Sequence, residues 1–135
     1  MAYTWTNELA TGNATIDTQH KQLVTAINDL LDACLSGQGR SKLNTILDFL
    51  IDYAAKHFRD EEKIQQQYNY PDFANHKKIH EAFKADVAML AKQFYSEGPT
   101  VSLVGKVNSF LGAWLVNHIK YEDLKIGRHI RSVSG

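Results

Sequence analysis

The chain has 135 residues, 44% of them apolar and 22% charged, the composition of an ordinary globule long enough to bury a core as one domain over residues 1–135. Its 15 Lys and Arg balance 15 Asp and Glu, so no strong field calls for nucleic acid or an anionic membrane. The lone Cys34 excludes an internal disulfide and fits a reducing compartment. Residues 1–10 carry no signal pattern, and no apolar run approaches ~20 residues; a cytoplasmic protein is expected.

Residues 1–16 lack sustained periodicity and read as an arm, with Trp5, Leu9 and Ile16 laid against the rest and Gly12-Asn13 as a turn. Asp17 or Thr18 is expected to cap the first helix. Its apolar face runs His20, Leu23, Val24, Ile27, Leu30, Leu31 and Cys34, and it stops at Ser36-Gly37-Gln38-Gly39. A second helix begins near Ser41, with Leu43, Ile46, Leu47, Leu50, Ala54, His57, Phe58, Glu61 and Gln65 on one side. Tyr68-Asn69-Tyr70-Pro71-Asp72 breaks the pattern around a proline.

The third helix reads Phe73, His76, His80, Phe83, Val87, Leu90, Ala91 and Phe94, alternating steps of three and four, and Ser96-Glu97-Gly98-Pro99 ends it. The fourth reads Val104, Val107, Leu111, Trp114, Leu115 and His118, with Asp123 close to its end. From Gly127 onward a polar, basic tail is expected to be short and loosely held, with His129 solvated. Four helices with short connections predict an all-α, antiparallel up-down-up-down four-helix bundle with an N-terminal arm and a C-terminal tail.

That topology brings together what the spacing alone leaves apart. His20 is early in the first helix, His57 and Glu61 late in the second, His76 and His80 early in the third, His118 and Asp123 late in the fourth. All seven therefore converge on one end of one core. A single histidine on an apolar face is ordinarily a hydrogen-bonded core residue. Five with two carboxylates at one depth, and no Lys or Arg in the stripes to neutralise them, would be ruinous without a cation. Imidazole and carboxylate together suit iron, zinc or copper rather than calcium or magnesium.

Counting donors narrows the site. Five imidazoles, two carboxylates that each bridge, and one shared solvent oxygen make eleven bonds. Two octahedral ions need twelve, so one position stays open for a small ligand. The spacing poses one geometric problem: five residues on a regular α-helix turn Asp123 away from His118, so that helix must distort near its end.

These residues carry a resemblance. Ile16-Asp17-Thr18-Gln19-His20-Lys21, His57-Phe58-Arg59-Asp60-Glu61-Glu62, His76-Lys77-Lys78-Ile79-His80 and the run from Trp114 through His118 to Asp123 together resemble the hemerythrin family, in its stand-alone bacterial form. The resemblance implies two non-haem iron ions with a bridging oxo or hydroxo group and reversible binding of dioxygen. It assigns His76, His80 and His118 to one iron and His20 and His57 to the other, with Glu61 and Asp123 bridging. Oxygen would go to the five-coordinate iron, and an oxygen-consuming protein is the partner such a carrier would serve. Phe58, Trp114, Leu115 and Ile119 would keep water from the oxygen while also packing the core. Gln65 departs from the pattern, since many bacterial members carry Met there, and it makes the surroundings of the site more polar.

Di-iron oxidases usually use four carboxylates and Glu-x-x-His pairs. This chain has no Glu-x-x-His, and its histidine-rich, carboxylate-poor set favours the ferrous pair over strongly oxidising states. An oxygen carrier rather than an enzyme is therefore expected. The alternatives are a sensor, a peroxidase or oxidase on the same irons, and an iron-handling or zinc-binding bundle. Glu62 and Glu81 adjoin candidate ligands in sequence and are expected to face solvent; Cys34 is expected to be packing.

Overall fold

The apolar spacings resolve into four helical arms in the computed structural model, which describes residues 3–37, 40–98 and 100–134. The breaks expected at Gln38, Gly39 and Pro99 lie outside the described residues, as does Gly135. The first three arms are single helices, α1 (Ala14–Leu35), α2 (Arg40–Gln67) and α3 (Phe73–Glu97). The fourth is a continuous helical stretch of changing pitch. In it α4 (Val101–Lys106), α5 (Trp114–His118) and α6 (Leu124–Ser134) are joined by π-helical turns at Val107–Ala113 and Ile119–Asp123. α1 packs on α2, α2 on α3, and the fourth arm closes against both α3 and α1. The result is an antiparallel up-down-up-down four-helix bundle.

The helix ends follow from local chemistry, with one correction. Asn13, not Asp17 or Thr18, caps α1: its side chain accepts from the Ile16 amide at 3.0 Å. Asp17 lies a turn inside and binds the arm instead, accepting from the Thr11 amide and hydroxyl at 2.8 Å each. Gly12 makes the turn before the cap with a φ of 91°, a conformation glycine adopts without steric cost. Between α2 and α3, Asn69 takes a φ of 53° and the Tyr70 amide donates back to the Gln65 carbonyl at 2.8 Å. Thr100 caps α4 through the Leu103 amide.

The core is the set of stripes read from the sequence. Leu23, Ile27 and Leu30 of α1 meet Leu43, Leu47, Leu50 and Phe58 of α2, Phe83, Val87, Leu90 and Phe94 of α3, and Val107, Leu111 and Leu115 of the fourth arm. Each fully buried leucine or phenylalanine contributes about 1.5–3 kcal/mol, far more than the propensity difference between good helix formers. Packing, not propensity, therefore holds the arms in register. The N-terminal arm is shorter than expected, since Ile16 lies in the first turn of α1, but it is fixed to the bundle: Leu9 is buried, and Trp5 packs on the core with the Lys21 ammonium 4.4 Å from its ring centre. Tyr3 exchanges two 2.8 Å hydrogen bonds with the Asn28 amide.

The C-terminal segment overturns its expectation. α6 is helical through Ser134, and Ile126 is fully buried with Ile16 and Tyr70 in a second apolar cluster. Gly127 lies so close to the arm that a Cβ there would fall 2.1 Å from the Thr11 carbonyl oxygen. Arg131 donates to that same oxygen at 2.8 Å. His129 is half-buried rather than solvated, its Nε2 donating to the Tyr68 carbonyl at 2.7 Å. This helix closes the bundle end that carries the seven polar residues. Among the described residues, no helix is long and apolar enough to cross a membrane.

Candidate metal centre

The seven residues singled out in the sequence meet at that end. His20 comes from α1, His57 and Glu61 from α2, His76 and His80 from α3, His118 from α5 and Asp123 from the second π-helical turn. Glu61, Asp123, His20, His76 and His80 are fully buried, and His57 and His118 nearly so. Their donor atoms fall into two groups: Glu61, His76, His80, His118 and Asp123, and His20, His57, Glu61 and Asp123. Both groups contain both carboxylates.

The distortion expected near the end of the fourth helix is the second π-helical turn. A π-helix closes i to i+5, so Asp123 returns to the face of His118 and its Oδ1 lies 3.1 Å from His118 Nε2. Between the other arms, spacing within one helix does the work: His57 and Glu61, like His76 and His80, are four residues apart on α-helices.

The carboxylate oxygens divide between the groups. Glu61 Oε1 lies 3.0 Å from His76 Nε2 and 3.2 Å from His80 Nε2, while its Oε2 lies 3.3 Å from His57 Nε2 and 3.5 Å from His20 Nε2. Asp123 Oδ1 faces His76 and His118, and its Oδ2 faces His20 at 3.0 Å. Imidazole nitrogens also face one another, with His118 Nε2 3.2 Å from the Nε2 atoms of both His76 and His80.

Partners on the outer side fix which imidazole nitrogens carry protons. Gln19 donates its amide N–H to Asp60 Oδ2 at 2.8 Å, so its Oε1 is turned to His57 Nδ1, also at 2.8 Å. An amide oxygen only accepts, so His57 Nδ1 carries the proton and its Nε2 offers a lone pair inward. Asp60 is itself tied to Lys56 at 2.8 Å, and that ammonium with the Gln19 amide holds its carboxyl below the usual range. His80 Nδ1 likewise donates to Glu62 Oε2 at 2.9 Å, which turns the Nε2 lone pair inward. Glu62 is thus largely buried against His80 and not solvent-facing as expected. The reason is that α2 and α3 cross closely enough here for a residue beside the stripe to reach the neighbouring helix. Helical periodicity does not mark Gln19, which lies beside the apolar stripe directly before His20. Glu81 does face solvent, paired with Lys84.

Inward lone pairs against two buried carboxylates repel unless a cation lies among them. Glu61 Oε2 and both oxygens of Asp123 have no hydrogen-bond partner in the protein, and a buried anion in that condition is costly. The donor set therefore fits divalent metal ions of the type that take imidazole and carboxylate together. Without metal, protons take that role. Burial works to lower the pKa of His20, but Asp123 and Glu61 outweigh it and raise it to about 9. The same opposition raises His76 to about 10. Burial works to raise both carboxyls, and for Asp123 the Glu61 charge adds to it; the surrounding histidines win, holding each well below the usual range.

Aromatic and aliphatic groups enclose the centre on its bundle side. Phe58 stacks on His80 at 4.0 Å between ring centres, and Trp114 on His118 at 4.5 Å. Phe83 stacks on Trp114 at 3.7 Å. Phe58, Trp114 and Leu115 also border an apolar cavity of about 30 Å³ in the middle of the bundle. Ile119 is fully buried but does not border that cavity. Cys34 is partly buried against the core, as expected.

Comparison with known proteins places this geometry. Residues 11–130 match the model of the Hemerythrin HHE cation binding domain. The chain is 38% identical over 125 residues to a bacteriohemerythrin of Methylococcus capsulatus, covering 92% of this chain and 93% of that protein. A hemerythrin-like protein of Naegleria gruberi is 34% identical over 124 residues, covering 91% and 89%. Among solved structures, a wild-type hemerythrin aligns with a TM-score of 0.85 at 36% identity, covering 96% of this chain and 98% of that one. A leucine-to-alanine variant of a hemerythrin aligns equally well, at 37% identity.

Proposed function

This chain belongs to the hemerythrin family, and on that premise we propose that it binds dioxygen reversibly at two non-haem irons, storing or delivering oxygen rather than catalysing a reaction. The observation that carries this reading is the division of carboxylate oxygens: Glu61 and Asp123 each turn one oxygen toward the three-histidine group and one toward the two-histidine group. Carboxylates so arranged bridge two ions. His76, His80 and His118 would then hold one iron and His20 and His57 the other, with Glu61 and Asp123 shared between them. The two-histidine group supplies fewer donors, so it would be the one with room for a small ligand. When bound, the two ferrous ions supply the two electrons that dioxygen takes up and returns.

The chain's own residues would make that exchange reversible. Lys56, Asp60, Gln19 and Glu62 hold His57 and His80 as oriented neutral donors. Phe58 and Leu115 close the inner side with groups that offer water no hydrogen bond, and Trp114 turns its ring face to His118. A cavity of about 30 Å³ with apolar walls is large enough for a diatomic gas yet stays dry without polar partners. Two carboxylates among seven donors leave the site short of the anionic ligands that di-iron oxidases use.

The test follows the visible spectrum through anaerobic reduction, admission of air, and removal of oxygen. A coloured species that forms and disappears on cycling is expected, with two irons per chain by metal analysis. Irreversible oxidation in one cycle, turnover of an added peroxide or reductant, or zinc in protein made with ample iron would each replace this reading with the enzymatic or metal-handling one.

A further inference from the structure

Gln65 stands one turn beyond Glu61 on the same face of α2. It is fully buried, yet neither Oε1 nor Nε2 of its amide has a hydrogen-bond partner in the protein. Removing a whole amide from water without replacing any of its bonds is strongly unfavourable, and an apolar side chain of the same length would fill the volume without that cost. At the same end of the bundle Ile16, Tyr70 and Ile126 form a buried apolar cluster with Ile64, the residue before Gln65, packed against it.

A second orphan lies in the same region. Nδ1 of His76 is buried and unpartnered, whereas the outer nitrogens of His57 and His80 are bound by Gln19 and Glu62. A neutral imidazole whose Nε2 faces a metal carries its proton on Nδ1 and requires an acceptor there. α2 and α3 run antiparallel, with Glu61 against His76 and His80 and Glu62 against His80, so Gln65, one turn further along α2, faces the first turn of α3, which bears His76. A donor without an acceptor and an amide without any partner thus lie at the same end of the α2–α3 pair, and neither bonds the other directly.

We propose that Gln65 anchors a buried water molecule that accepts from His76 Nδ1–H and donates to Gln65 Oε1. A buried water is stable where two or more polar groups receive it, and these two groups are otherwise unsatisfied. Along α2, the metal centre at His57 and Glu61 lies between Ala54, one turn before it at the border of the apolar cavity, and Gln65, one turn after it. The site therefore has a dry side toward the bundle and a wet side toward its closed end. On the wet side Gln65 acts as a positioning residue for His76, as Gln19 does for His57. The inference rests on the reading of His76 as a ligand through Nε2.

The test compares the iron-loaded parent with Gln65→Met in crystals that order internal solvent, with iron content and urea midpoint measured for both. A water within hydrogen-bonding distance of the Gln65 amide and His76 Nδ1 is expected in the parent and absent in the variant. The variant should give up iron to a chelator more readily than the parent, and its midpoint should be lowered, because His76 loses its acceptor. Empty density at that position, or a Gln65 amide bonded directly to a protein group, overturns the proposal. So does a raised or unchanged midpoint in Gln65→Met, since loss of an unpartnered amide stabilises or leaves stability as it was. A parent that takes up no iron strikes the metal reading instead, and the density beside Gln65 still decides the water.

Discussion

His118 Nε2 and Asp123 Oδ1 lie 3.1 Å apart although five residues separate them in the chain. On a regular α-helix those residues would point about 140° apart. The π-helical turn at Ile119–Asp123 removes the difference and brings a carboxylate into both ligand groups at once. Because Asp123 is shared, Asp123→Asn, which keeps its shape and removes its charge, should empty both positions rather than one. Metal analysis of the folded variant is expected to give well under one iron per chain. Retention of the parent's iron content would mean that Asp123 is not a bridge.

His76→Ala and His80→Ala should damage the centre more than His20→Ala. His76 and His80 rise from one helix and supply two of three imidazoles in the larger group. Since metal binding is linked to folding, iron occupancy and melting temperature should fall together. Equal occupancy and equal melting temperature in all three variants would count against the division of ligands.

The outer partners make a graded prediction. Glu62 gives His80 an anionic acceptor, and Gln19 gives His57 a neutral one held by Asp60. Glu62→Leu and Gln19→Leu should each weaken iron binding by about 10- to 100-fold, the usual consequence of removing a ligand's hydrogen-bond partner. Competition with a chelator measures this. Unchanged iron retention in both variants would make these contacts incidental.

Much of this centre is legible in the sequence because helical periodicity puts polar residues where only apolar ones belong. His57 with Glu61, and His76 with His80, declare themselves by a spacing of four within an apolar stripe. Alternating chain direction then delivers all the arms to one end. Glu62 and Gln19 are not legible in that way, since whether a residue beside the stripe faces solvent or the next helix depends on how closely two helices cross. The tail misleads for a related reason. α6 buries only Ile126 fully and leans on Gly127 at its contact with Thr11, so its anchoring comes from one close backbone approach and two hydrogen bonds to carbonyls, Arg131 to Thr11 and His129 to Tyr68. None of these leaves a periodic signal.

The iron-free protein should lose stability as pH rises. His20 and His76 ionise near 6.5 when unfolded and near 9 and 10 when folded beside Asp123 and Glu61. A raised folded pKa stabilises fully below the unfolded value and is lost on passing the folded one, so the decline runs from about pH 6.5 to 10. The carboxyls act oppositely, with depressed folded values that withdraw their stabilisation only as pH falls below the ordinary carboxylate range. Urea midpoints of metal-free protein across pH 6 to 10 should fall, while the iron-loaded protein holds steadier because metal replaces the protons. A flat profile without metal would show that the carboxylates do not hold protons on these histidines.

Leu115 should guard the open iron position. It lies three residues before His118, which places both on one helical face, and it is nearly fully buried at the border of the apolar cavity. Leu23, three residues after His20, and Phe58, next to His57, border the same cavity, so it adjoins the two-histidine group as well as His118, on which Trp114 stacks. A branched hydrocarbon at this point denies a hydrogen bond to any water that enters. Loss of reduced oxygen as an anion requires a proton and solvation of charge, and both are scarce in a dry pocket. Leu115→Ala opens room for water, and Leu115→Asn supplies it with a partner. Both variants should keep the parent's iron content while the oxygenated protein converts to the ferric form faster, the asparagine variant most of all. Timing the loss of the oxygenated absorption after air is admitted to the reduced proteins measures this directly. If the decay is unchanged at full iron occupancy, Leu115 is core packing and the barrier to water is formed by Phe58 and Trp114.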